Sequence, residues 1–100
     1  MIVSQLIERD NGSQVKIVAE EFFGAGLHRS VGFFVLYRES GAHDWKLASD
    51  QPHPDWRFMS VDDYVRFGRP EHLRVASIGE ILKVGHLLSI KRKEQDSLIA

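Results

Sequence analysis

An α+β fold is predicted by a change of character near residue 60. Strand-like runs punctuated by glycine-bearing turns come before it. Two helix-start signatures come after it, Ser60-x-x-Asp63 and Ser77-x-x-Glu80, each leading into apolar residues at helical spacing. The expected architecture is an antiparallel sheet of about four or five strands in meander order, with two C-terminal helices packed on one face. With 43% apolar residues in a chain of 100, one small core is expected. Residues 1–93 are assigned to that single domain and 94–100 to a frayed tail.

The first strands are marked by Asp10-Asn11-Gly12-Ser13 between apolar runs. Asn-Gly accepts the positive φ angles of a type I′ turn, which predicts a hairpin of strands at about 2–9 and 14–23. The second arm is the clearer one, since Val15, Ile17 and Ala19 alternate with Lys16 and Glu20. In the first arm, Ile2, Val3, Leu6 and Ile7 also fit one helical face, with Gly12 as a stop. Gly24-Ala25-Gly26 ends the second strand. Val31 to Tyr37 reads as a central strand covered on both faces. A turn containing Gly41 leads to a short strand around Trp45-Lys46-Leu47-Ala48. Residues 51–55 are expected to be loop, because neither Pro52 nor Pro54 can donate to a ladder. Trp56 to Met59 is a candidate edge strand.

Ser60 and Ser77 are the expected N-caps, with Asp63 and Glu80 completing each device. The first helix is expected to bury Val61, Tyr64, Val65 and Gly68, and to stop at Gly68 and Pro70. The second carries Ile78, Ile81, Leu82 and Leu88 at helical spacing, while Val84 and Leu87 widen its apolar face beyond one sheet contact. Gly79 and Gly85 each disfavour helix by about 1 kcal/mol relative to Ala. They permit close packing or else mark a strand pair over 81–84 and 87–92.

The chain has no cysteine, so disulfides, thiolate nucleophiles and cysteine-based metal sites are excluded. The N-terminal residues lack the basic segment and long apolar run of a signal peptide. The longest apolar run, Phe33 to Tyr37, is far short of the roughly 20 residues that span a bilayer. A cytoplasmic protein with no membrane association is expected. The net charge of -1 hides an asymmetry: residues 1–63 carry six Lys/Arg against ten Asp/Glu, and residues 66–93 carry seven against two.

Candidate chemistry is sparse. His43-Asp44 and His53-x-Asp55, with His28 earlier, are suitable side chains for a divalent metal, but their spacing matches no motif, and solvated loop residues explain them as well. No serine lies in a G-x-S-x-G elbow, and the acidic pairs Glu20-Glu21 and Asp62-Asp63 have structural explanations. Gly24-x-Gly26 is not a phosphate-binding loop. No catalytic residue, cofactor or metal site is assigned, and an enzyme is not expected.

The basic segment supplies candidate phosphate or acidic-partner contacts at Arg74, Lys83, Lys91, Arg92 and Lys93. Trp45, Trp56, Phe58 and Tyr64 are residue types that anchor protein interfaces. The functional expectation is a small non-enzymatic binding, regulatory or adaptor domain acting through a protein partner or a homodimer. The alternatives are a nucleic-acid accessory protein using residues 66–93 and a metal-dependent enzyme using the loop His and Asp residues.

Overall fold

The computed structural model describes residues 1–23, 29–55, 60–68 and 70–99, and has the α+β architecture. Strands β1 (Ile2–Glu8), β2 (Gln14–Phe23) and β3 (Arg29–Arg38) form an antiparallel meander, extended by the two-residue β4 (Lys46–Leu47). A second two-residue strand, β5 (His53–Pro54), pairs with β3 farther along its length. Helices α1 (Val61–Phe67), α2 (Pro70–Leu73) and α3 (Ile78–Ile99) follow.

The hairpin forms where Asn-Gly places it, but its turn is centred one residue earlier than a type I′ turn. Gly12 N–H donates to Arg9 C=O (3.0 Å) and Arg9 N–H to Ser13 C=O (2.9 Å), leaving a three-residue loop of Asp10, Asn11 and Gly12. Such loops place their last residue in the left-handed region, and Gly12 has φ 86°. The Asn11 side chain accepts bonds from the Ser13 N–H and hydroxyl instead of entering a primed turn.

Strand periodicity sorts side chains onto two faces. The register aligns Val3 with Ala19 and Phe33, Gln5 with Ile17 and Val35, and Ile7 with Val15 and Tyr37. This inner face meets α3, whose Ile81, Val84 and Leu88 complete the core with Ala76. Removing Ile17, Val35, Ile81 and Leu88 from water contributes about 1.5–3 kcal/mol each. Gly79, exposed, and Gly85, buried, both lie within one continuous helix, so they mark no strand pair.

α3 is tied to the sheet side at its start and again at Arg92. At its start, Ser77 Oγ accepts from Glu80 N–H (3.1 Å) and Glu80 Oε1 accepts from Ser77 N–H (2.9 Å), a reciprocal capping box. The same carboxylate takes both Arg9 nitrogens, at 2.6 and 2.8 Å, while Arg9 also reaches Val75 C=O (3.1 Å). Farther along α3, Arg92 pairs with the largely buried Glu21 of β2. The helix continues through the segment expected as a tail to Ile99; past Gly85 it meets neither Gly nor Pro.

Three expectations are corrected. The stripe assigned to the first helix is not buried: Val61 is 79% exposed and Val65 78%. Seven residues make about two turns, and a 61/65 spacing fixes a shared side without specifying a surface for it to meet. Of the two expected helices, α3 is the one whose packing on β1 and β2 forms the core. Residues 53–54, expected as loop, form β5; Pro54 is tolerated because the strand is at an edge. Pro70, expected only as a stop, also begins α2, where its missing N–H has no helical role. The expected turn at residues 24–26 and edge strand at residues 56–59 lie outside the described residues.

The Arg9 contact holds the Glu80 carboxyl at about 2, below its ordinary 4.5. Its contribution to stability is therefore complete above pH 4.5 and lost as pH falls towards 2. Denaturation midpoints across that window should fall for the wild type and flatten in Glu80→Gln. An undiminished slope in the variant would show that other carboxylates carry the acid limb. In the turn that Arg9 closes, Gly12→Ala should lose about 1–2 kcal/mol in urea unfolding, the left-handed penalty for an L side chain. Its Cβ would also fall 2.6 Å from Ser40 Oγ. Unchanged stability would exclude that conformational demand.

Candidate functional site

The second sheet face has no described helix packed on it in the way α3 packs on the first. Its rows follow from the register: Ser4, Val18 and Phe34 lie side by side, as do Leu6, Lys16, Leu36 and Leu47. Ile2 is 62% exposed, Leu6 53% and Leu47 52%, and Val18, Phe34 and Leu36 are only half-buried. Phe22 and Pro52 close over Gly32 at one end, each within about 3 Å of where a Gly32 side chain would begin. Glu8, Gln14 and Arg38 make a polar row at the other end. A partly exposed face that mixes apolar residues with Ser4 and Lys16 has the make-up of a protein-binding surface.

None of these residues was singled out by the sequence, although a signal was present. Phe33 and Val35 alternate with Phe34 and Leu36, a two-sided apolar pattern that implies cover on both faces of β3. The strand is central, with β2 on one side and β4 and β5 on the other. Among the described residues, its inner-face side chains Phe33 and Val35 are fully buried and its outer-face Phe34 and Leu36 half-buried.

The aromatic candidates separate. Trp45 is half-buried beneath Arg38, whose guanidinium carbon sits 4.6 Å from a Trp45 ring centroid. Trp56, Phe58 and the Tyr64 side chain lie outside the described residues. The basic candidates do not form one stripe. Lys83, Lys91 and Lys93 are exposed on α3, but at 100° per residue Lys91 and Lys93 project about 160° apart. Arg92 turns back to Glu21. Arg74 lies at a cleft of about 570 Å³ that also draws in Arg9 and Arg38, balanced there by Asp10 and Glu39.

The histidine-carboxylate set divides too. His43 and Asp44 are exposed, whereas His53 is fully buried and Asp55 half-buried; His28 lies outside the described residues. Among the described residues, no three His, Cys, Asp or Glu side chains converge on a metal position.

His53 instead faces a second fully buried imidazole, His72 of α2, edge to face at 5.8 Å. His53 Nδ1–H donates to Pro54 C=O (2.8 Å) and His72 Nε2–H to Gln51 C=O (2.9 Å). The second bond ties the residues leading into β5 to α2. Burial lowers the His53 pKa, reinforced by neighbouring His72 and opposed by the Pro54 carbonyl and Asp55.

Against known proteins, no family model, curated protein or solved structure matches the chain. No described helix is long and apolar enough to cross a membrane.

Because His53 binds its proton less readily when folded, the unfolded state takes up more protons as pH falls below 6.5. Stability should therefore drop progressively below pH 6.5 until the lowered folded value is passed. Comparing urea midpoints at pH 7.5 and 5.5 should show this loss in the wild type and little of it in His53→Gln. Equal losses in both would exclude His53 as the origin.

Proposed function

We propose that this chain is a non-enzymatic protein-binding domain whose partner covers the outer sheet face. The observation that carries this is the exposed apolar surface of Ile2, Leu6 and Leu47, which shares the outer face with Val18, Phe34 and Leu36 and is interrupted in register by Glu20 and Lys16. Such a face is a poor ending for a sheet in water, because each exposed apolar side chain forfeits the stabilisation that burial would bring.

Surface area supports the same conclusion. The chain exposes 6922 Å², above the roughly 5,800 Å² expected for a compact monomer of its mass. Part of the excess comes from the outer end of α3, exposed at residues 93–96. The uncovered sheet face adds apolar area of the kind found at interface centres. The lysines of α3 project in divergent directions, which disfavours a phosphate-tracking surface. A regulatory or adaptor role follows from binding without chemistry.

The test is affinity capture with three versions of the chain. Leu6→Glu with Leu47→Glu should keep the wild-type melting temperature, because both side chains are already half exposed, and should lose partner capture at least about ten-fold. Lys83→Glu with Arg74→Glu should retain it. The reverse pattern, with capture abolished by nuclease, would replace the protein partner with a nucleic acid.

A further inference from the structure

We infer that a second copy of this chain adds to the open edge of β1, joining two sheets into one across a two-fold axis at Gln5. This goes beyond the proposed function and uses the backbone edge of the sheet; Ile2 and Leu6 flank the seam, while Val18, Phe34, Leu36 and Leu47 of the outer face lie away from it.

The backbone determines which groups are available. Met1 C=O accepts from Glu21 N–H, and Arg9 N–H donates to Ser13 C=O, at the two ends of the β1–β2 ladder. Antiparallel ladders alternate, so Val3, Gln5 and Ile7 direct their backbone groups to β2. Ile2, Ser4, Leu6 and Glu8 direct theirs away from it. β1 ends the strand order, and among the described residues no strand pairs beyond it.

The two sides of the sheet are treated differently. Next to β3 lie β4 and β5, each two residues long, the latter containing Pro54. Short strands and proline blunt an edge. β1 has seven residues, with no proline, lysine or glycine, and its only charge is the terminal Glu8. It offers about 23 Å of undefended edge.

The occupant is a second copy because the edge complements itself. Antiparallel pairing about Gln5 sets Ser4 against Leu6 of the second copy and Ile2 against its Glu8, and the reverse by symmetry. Every outward N–H and C=O of those residues then finds a partner, since antiparallel hydrogen-bonded pairs exchange both bonds. On the inner face, Val3 meets Ile7 of the second copy, an apolar pair, and the two Gln5 amides meet on the axis. Gln5 also lines a groove of about 460 Å³ with Gly79, Leu82, Lys83, His86 and Leu87, which gives the second copy apolar surface beside the strand. This arrangement is isologous, the usual form of a homodimer contact.

Light scattering on the whole chain over a concentration series tests this, together with amide exchange by NMR. The mass should rise from 11.4 kDa to twice that value. In the concentrated sample the Ser4 and Leu6 amides should exchange at least about ten-fold more slowly than in the dilute one. Ser4→Pro removes one outward N–H without touching the β1–β2 ladder, and should remain folded by circular dichroism while staying monomeric. If that variant unfolds, exchange in the wild type decides. Leu47→Glu, on the far side of the sheet, should leave the doubled mass intact, so loss of partner capture and loss of the dimer are separate readouts. A mass fixed at 11.4 kDa, or doubling with freely exchanging Ser4 and Leu6 amides, would overturn the edge pairing.

Discussion

The placement of α3 depends on the Glu80 carboxylate, which serves two elements distant in sequence at once. Towards its own helix it completes the cap with Ser77. Towards the hairpin it receives both Arg9 nitrogens at the end of β1. A cap alone would start a helix without directing it. A paired guanidinium alone would leave the helix start frayed. Joined, they fix where α3 begins over the inner face, and Arg92 with Glu21 fixes it again farther along. Ile81, Val84 and Leu88 then fall over Val3, Ile17 and Phe33. The energy comes chiefly from this apolar burial, and the polar contacts select its direction.

The same placement determines what remains uncovered. Among the described residues, a single long helix shields one side of the meander, while the other helix of more than one turn, α1, turns Val61 and Val65 to water. The outer face is therefore a consequence of how little helix the chain directs to the sheet. It is not produced by unusual residues: Leu6, Leu36 and Leu47 would be ordinary core leucines under a second layer.

Features governed by neighbouring residues were legible in the sequence. The meander, its central strand and both serine caps follow from alternation, turn chemistry and spacing over a few positions. What the sequence concealed were choices made between distant elements. Nothing near Val61 states that its side will find no partner, and nothing near His53 reveals that it will pair with Phe33 and stack against His72. Arg9 reads as an ordinary charge closing a strand until Glu80 is placed beside it. The candidate site was missed for the same reason. The alternation of Phe33, Phe34, Val35 and Leu36 showed that two sides required cover, but not that among the described residues a helix would pack on just one.

The unequal edges bear on stoichiometry. A sheet with two receptive margins can add copies indefinitely, and open-ended growth of that kind produces filaments. Among the described residues, β4 and β5 are two residues long and β5 carries Pro54, which blunts that margin, so the inferred edge pairing would end after a single addition. Their brevity, which adds little to the core, would act as a stop on polymerisation. Lengthening either strand, or replacing Pro54, would convert a closed pair into a chain with no natural end.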